Sequence, residues 1–193
     1  MDISTCSRPL QCAQAWVASL VQKGDTVVDA TAGNGYDSLF LAQLIGETGT
    51  LHLFDIQACA LSATRERLSL HGYEGDWISF HQASHATMAE LIPAEAQIKA
   101  IMFNLGYLPG GDKTLVSQEG ETIKAIESAM SLVARGGIVT IVCYPGHHGG
   151  DAEALAVQRM LASVSASQWR IAQVSHWNAP SPAPFLLAAF KLK

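Results

Sequence analysis

Apolar positions along this chain follow two alternating rhythms: short runs of strand length and longer stretches of helical period. After Pro9, a favoured first helical residue, Leu10, Ala13, Trp16, Val17 and Leu20 fall at helical spacing up to the Lys23-Gly24-Asp25 turn. Residues 26–30 (TVVDA) are short, β-branched and followed by a glycine-rich loop, the pattern of a buried parallel strand. Leu39, Leu41, Ala42 and Ile45 predict the next helix, ended by Gly46, and 50–55 a second strand. Ala58, Leu61, Arg65 and Leu68 carry a helix to a His71-Gly72 stop. Residues 77–81 and 99–104 read as strands, 122–133 as a helix stopped by Gly136-Gly137, and 138–143 as a strand of nearly unbroken apolar residues. A helix over about 152–162 and two strands, 169–176 and 185–192, joined by a proline-rich turn, complete the pattern. Repeated β-α units ending in a hairpin predict the α/β class, with an open parallel sheet covered by helices. No repeat, linker or low-complexity segment interrupts it. One domain over 1–193 is expected, with 1–23 as an N-terminal helix packing on the core.

Composition narrows the function classes. The chain has 193 residues, 49% apolar and 15% charged, which excludes disorder and supports a sizeable core. No apolar run approaches the ~18 residues of a membrane span. The start, MDISTCSRPLQ, has no charged leader before an apolar stretch, so a cytoplasmic location is expected. Cys6, Cys12, Cys59 and Cys143 form no C-x-x-C pair and read as reduced packing residues. Of seven histidines only His147 and His148 are adjacent, and neighbouring loop residues seldom chelate one ion, so no metal is expected. His52 and His81 fall in strands and read as hydrogen-bonded structural residues.

The first strand runs into Asp29-Ala30-Thr31-Ala32-Gly33-Asn34-Gly35, and open α/β sheets bind ligands beyond the carboxyl ends of their strands. Glycines there let the backbone turn and approach a ligand without Cβ atoms in the way. Twenty residues after Gly35 the second strand ends in Asp55, where a carboxylate can accept ribose hydroxyls. A dinucleotide fingerprint wants a third glycine where this chain has Ser38. An acid at the end of strand one also suits a cationic ligand better than a pyrophosphate. S-adenosylmethionine, with its sulfonium and α-ammonium, fits Asp29 and Asp37 electrostatically and is favoured over NAD.

Asn104-Leu105-Gly106-Tyr107 ends the fourth strand across the switch point from the glycine loop. It looks like the N-P-P-Y segment of amino-methyltransferases, with Leu-Gly for Pro-Pro. Methyl transfer is an in-line displacement, so the site must hold a lone pair opposite the sulfonium. The Asn104 carbonyl can accept a hydrogen bond from a target amine. Being neutral, it does not favour the unreactive ammonium form as an Asp would. Tyr107 can stack on a base or pack on the methionine end of the cofactor.

Three segments, DATAGNGYDSLFLA, LFDIQACAL and FNLGYLPGGDKTL, together resemble the bacterial family described as putative rRNA methylases. Members of that family have been assigned to wobble-uridine modification of tRNA. The likeness runs from Gly24 to Lys191 and includes Ser84-His85, 122–127 (TIKAIE) and the Y-x-G-H segment at 144–147. It implies a class I S-adenosylmethionine-dependent fold: a Rossmann-like, mostly parallel seven-stranded sheet of order 3-2-1-4-5-7-6 with helices on both faces. The reaction implied is methylation of the exocyclic amine of 5-aminomethyl-2-thiouridine at tRNA position 34. rRNA, or a small-molecule or protein amine, is the alternative target. Carried over by residue, Asp29, Thr31, Gly33, Asn34, Gly35, Asp37, Asp55, Gln57, Ser84 and His85 would line the cofactor. Asn104, Gly106 and Tyr107 would lie between cofactor and target, with Asn104 and Tyr107 as the catalytic pair. Pro109, Gly110, Asp112, Lys113, Tyr144 and His147 would face the substrate together with Tyr107. Local chemistry leaves some roles open: His85 could meet the adenine edge, and Ser84 could instead start a helix. Asp112 and Lys113 could contact phosphate or cap the next element. Tyr144 and His147 could bind the nucleotide or take its proton.

The net charge of −5 argues against a protein that grips nucleic acid through bulk positive charge. The twelve Lys and Arg residues form no run. An enzyme reading one extruded base and a few phosphates of an anticodon loop needs only a local patch, so a small RNA footprint is expected. The tRNA anticodon loop is thus the expected partner, with a homodimer as a compatible assembly and no membrane.

Overall fold

The computed structural model describes residues 8–106, 119–146 and 149–193. Strands β1 (Thr26–Asp29), β2 (Thr50–Asp55), β3 (Ile78–Gln82), β4 (Ile98–Leu105), β5 (Val133–Cys143), β6 (Trp169–Val174) and β7 (Phe185–Lys191) form one sheet. Their order is β3-β2-β1-β4-β5-β7-β6, as the resemblance implies, and only β7 runs against its neighbours. Chain order reverses between β1 and β4, and the carboxyl ends of these two strands flank the switch point.

Successive strand residues point to opposite faces, and both faces are apolar here, so each must be covered. Val27, Leu53 and Met102 pack with α1 (Pro9–Leu20), α2 (Tyr36–Ile45) and α3 (Ala58–Leu70). Val28, Phe54 and Phe103 pack on the other side with α4 (Met88–Leu91), α5 (Glu119–Leu132) and α6 (Gly150–Ala162). Helix α1 lays Cys12, Ala13 and Val17 against β4, β5 and β7. His52 and His81, on adjacent strands, hydrogen-bond each other (Nδ1 to Nε2, 3.1 Å), and His81 stacks on Phe54.

Helix α2 starts at Tyr36, directly after the glycine loop, and ends at Ile45 before Gly46, as expected. Two expectations need correction. Gly136-Gly137 lie inside β5, where pairing with β4 jumps from Ile98–Val133 to Ala100–Ile138 and the extra residues are absorbed as an irregularity. Cys12 and Cys143 are buried, but Cys59 is exposed on the outer side of α3 and is not a packing residue. Cys6 lies outside the described residues. No helix among them is long and apolar enough to cross a membrane.

Candidate functional site

Beyond the carboxyl ends of β1, β2 and β4, side chains tie three loops into one hydrogen-bonded unit. Asp29 closes β1 and is 1% exposed. Its Oδ1 accepts the Thr31 N–H at 3.1 Å and its Oδ2 accepts the Ser38 hydroxyl at 2.6 Å. Thr31 in turn accepts the backbone N–H of Asn104 on its Oγ1 at 2.8 Å, which locks the loop after β1 to the end of β4. Asp55 closes β2 and accepts the N–H groups of Gly33 (3.0 Å) and Gln57 (2.9 Å), one on each oxygen. Each oxygen keeps a second lone pair for another donor.

The glycines are required by conformation and by space. Gly33 and Gly35 have φ of 52° and 78°, the left-handed region. A Cβ on Gly35 would stand 2.8 Å from the Thr64 Cα. Helix α3 holds this loop from below: Thr64 Oγ1 donates to the Gly33 carbonyl (3.1 Å) and Arg67 Nε to the Asn34 carbonyl (2.6 Å). The Arg67 guanidinium also lies 3.7 Å over the Tyr36 ring.

Asp37, in the first turn of α2, accepts Gln14 Nε2 on Oδ1 (2.8 Å) and Asn104 Nδ2 on Oδ2 (3.4 Å). The donors to Asp29 and Asp37 are all neutral. Burial, reinforced by the Asp37 charge, pushes the Asp29 carboxyl up to about 7, and the bonds from Ser38 and Thr31 oppose that rise. Burial also raises Asp37, against the bonds from Gln14 and Asn104. Two buried acids with no paired cation among the described residues form a site that suits a cationic ligand group.

Asn104 presents the other notable group: its Oδ1 is buried and accepts no hydrogen bond. Since Nδ2 faces Asp37 and no described residue donates to Oδ1, Oδ1 is the end left for a further donor. Tyr144 is half-buried beside this segment, its ring 3.5 Å from where a Cβ on Gly106 would stand. Burial, then the charge of Asp37, raises the phenol of Tyr144, while the Asn104 side chain lowers it.

His85 donates from Nδ1 to the Ala30 carbonyl (3.2 Å) and meets Phe103 edge-on. Burial holds its imidazole below the usual value, so the neutral ring offers Nε2 as an acceptor. Ser84 accepts the Ala86 N–H and caps the 3-10 turn His85–Thr87; its hydroxyl also donates to Glu121 at 2.9 Å. The helix-start role for Ser84 is therefore realised.

Asp29, Thr31, Gly33, Asn34, Gly35, Asp37, Asp55, Gln57, Ser84, His85, Asn104, Gly106 and Tyr144 all lie at this one end of the sheet. Tyr107, Pro109, Gly110, Asp112, Lys113 and His147 lie outside the described residues. Sequence reasoning missed Gln14, Thr64 and Arg67, whose helices showed only their apolar stripes. A polar residue at an inward position of each helix was the available signal. Among the described residues, no group of three or more His, Cys, Asp or Glu comes together to hold a metal.

Comparison with known proteins agrees with this geometry. Residues 51–189 match the family described as "putative rRNA methylase". The chain is 34% identical over 179 residues to a chloroplastic protein of Arabidopsis thaliana named tRNA (mnm(5)s(2)U34)-methyltransferase. That alignment covers 89% of this chain but only 65% of the plant protein. The crystal structure of a "putative rRNA-methylase" from Clostridium thermocellum superposes with a TM-score of 0.93 at 36% identity, over 97% of this chain and all of that one. A Streptococcus mutans methyltransferase solved in complex with SAH superposes with a TM-score of 0.87 at 28% identity, over 96% and 99% of the two chains. With a family match over most of its length, and sheet order and loops to go with it, this chain belongs to the "putative rRNA methylase" family.

Proposed function

We propose that this protein is an S-adenosylmethionine-dependent N-methyltransferase. Its target is the exocyclic amine of 5-aminomethyl-2-thiouridine at the tRNA wobble position, and its product is the 5-methylaminomethyl nucleoside. The observation that carries the reading is the buried, unpartnered Asn104 Oδ1 at the switch point, beside two buried carboxylates. The cofactor supplies an electrophilic methyl group on a sulfonium. Asp29 and Asp37 provide negative charge for its cationic methionine end, and the free lone pairs of Asp55 meet the ribose hydroxyls. The Gly33–Gly35 backbone admits close approach, with Thr31, Asn34, Gln57, Ser84, His85 and Gly106 along the same rim. Asn104 is the catalytic residue: its Oδ1 accepts an N–H of the amine and so aims the nitrogen lone pair. A bond forms from that nitrogen to the methyl carbon, the sulfur–carbon bond breaks, and the product ammonium loses its proton to water. The SAH in the Streptococcus relative and the name of the Arabidopsis relative support cofactor and substrate respectively. We place the reaction in the compartment that holds its tRNA, for this chain the cytoplasm, whereas the Arabidopsis relative is named as chloroplastic.

The test is nucleoside mass spectrometry of tRNA from a strain lacking the gene, followed by incubation of that tRNA with purified protein and labelled S-adenosylmethionine. Loss of the methylated nucleoside, accumulation of its 5-aminomethyl precursor and restoration in vitro are expected. Unlabelled tRNA beside labelled rRNA, the target named in the family description, would overturn the substrate and keep the enzyme class.

A further inference from the structure

Helix α1 lies outside the matched residues 51–189 and is fastened to the sheet by its apolar face, yet one of its polar side chains reaches the site. We infer that Gln14 is a positioning residue for the reaction: it keeps Asp37 a hydrogen-bond acceptor, and through Asp37 it fixes which end of the Asn104 carboxamide faces the substrate. The inference rests on the proposed role of Asn104.

A carboxamide has donors at one end and an acceptor at the other, in nearly the same shape. Its orientation is therefore decided by its partners. Here the partner is Asp37 Oδ2, which takes Nδ2 and leaves Oδ1 facing outward without a bond. An ionised carboxylate can only accept, so it holds this orientation. A protonated one can donate, and an O–H aimed at Oδ1 would turn the carboxamide and offer the amine two hydrogens in place of a lone pair. Asp37 is buried next to Asp29, a setting that favours protonation, and Gln14 opposes it through the 2.8 Å bond to Oδ1.

The groups around Asp37 are few. Gln14 faces it from α1, Asp29 from β1, Asn104 from β4, and Tyr144 from the segment after β5. Asp55 at the end of β2 acts on Asp29 in turn. Arg67 of α3, a cation in this neighbourhood, is directed to the Asn34 carbonyl and the Tyr36 ring. Among the described residues, Gln14 is thus the donor to Asp37 other than Asn104 itself.

Gln14→Leu removes the donor at similar volume, Gln14→Glu replaces it with an acceptor, and Gln14→His restores an N–H. Two readouts decide. In the apo protein, carbon-13 NMR follows the Asp37 carboxyl through its titration and nitrogen-15 spectra follow the Asn104 side-chain amide. The Asp37 midpoint should rise in Gln14→Leu, rise further in Gln14→Glu and return in Gln14→His, with the Asn104 signals moving in step. In single-turnover methylation of tRNA at saturating cofactor, the Gln14→Leu rate should fall increasingly below the wild-type rate as pH is lowered, by at most about tenfold per pH unit of displaced titration, and approach it again at high pH. Amine protonation affects both proteins equally and cancels in their ratio. An unmoved Asp37 titration, or a rate ratio constant with pH, would overturn the inference. If the wild type methylates no tRNA, the proposed function fails, while the NMR arm still decides whether Gln14 controls Asp37 and Asn104.

Discussion

Two clusters at opposite ends of the sheet carry opposite charge and use it differently. At the carboxyl ends of β1 and β2 stand Asp29, Asp37 and Asp55, and the cation among them, Arg67, is directed to the Asn34 backbone carbonyl. At the opposite end Lys99, Arg135, Lys191 and Lys193 gather around the Gly136 turn in β5. Two of the cations there serve the fold. Lys191 Nζ donates to the carbonyls of Met130, Ser131 and Val133, capping the C-terminus of α5, and Lys99 Nζ donates to Gly136. The acids hold a loop in shape, and among the described residues no side-chain cation is paired with Asp29 or Asp37. Topology thus sorts charges scattered in sequence into a cluster whose lysines are finished by backbone carbonyls and a cluster that suits a cation.

The sharpest break of that contrast is at Asn104. Asn104→Ala should lower single-turnover methyl transfer by about 10²-fold, the scale of a lost positioning contact, with cofactor affinity changed only a few fold. Isothermal titration beside the rate assay checks the split. A variant that loses affinity and keeps its rate at saturation would move Asn104 from the amine to the cofactor.

Gly35→Ala attacks the loop rather than the chemistry. The left-handed φ costs roughly 1 kcal/mol for a residue with a Cβ, and the contact with the Thr64 Cα adds backbone strain. A total of about 2–3 kcal/mol should lower Tm by roughly 5–10 °C in a chain of this size. Cofactor-induced stabilisation in the same melts should shrink, since the displaced loop carries Gly33 and Asn34.

Sequence legibility divides along the same line. Strand identity followed from short, mostly apolar runs, and Thr50–Asp55 coincides with the expected span, because a strand buried on both faces is largely apolar, here with a buried His52 paired to His81. The motif residues of the site were legible for a related reason: glycines and carboxylates at strand ends have few other uses. What escaped was the support behind them. Gln14, Ser38, Thr64 and Arg67 act across 9 to 33 positions, through contacts that exist only once α1, α2 and α3 are packed. A periodicity of 3.6 assigns such residues to a helix and is silent on what they touch.

Asp29 tests whether the charge at this end is held for a ligand. Folding raises its carboxyl from the ordinary range to about 7, so the folded chain binds that proton more tightly than the unfolded chain does. The associated stability is whole at acid pH and is lost as pH rises toward 7, by at most about 1.4 kcal/mol per pH unit. Apo Asp29→Asn should therefore gain on the wild type between pH 5 and 8 in thermal melts. A cation reverses the order: wild-type affinity for S-adenosylmethionine should climb up to about tenfold per unit toward pH 7 and then level, while the variant binds more weakly with a flatter profile. Parallel profiles for the two proteins would mean that Asp29 only shapes the loop.

The finished end should respond least. Lys191→Ala removes the cap of α5 and should cost about 1 kcal/mol, a Tm loss of roughly 2–4 °C. Cofactor affinity should stay unchanged, because the capped carbonyls lie at the far edge of the sheet. Arg135 lines the same shallow cavity of about 460 Å³ with Lys191 and Lys193, and no acidic residue among those described lines it. Arg135→Ala should change neither Tm nor cofactor binding measurably, and the salt dependence of tRNA binding should keep its slope. Each phosphate contact contributes about 0.9 to that slope, so a fall of this size would place the basic end within the RNA footprint. The footprint would then span both ends of the sheet, and the contact with tRNA would be far larger than a net charge of −5 leads one to expect.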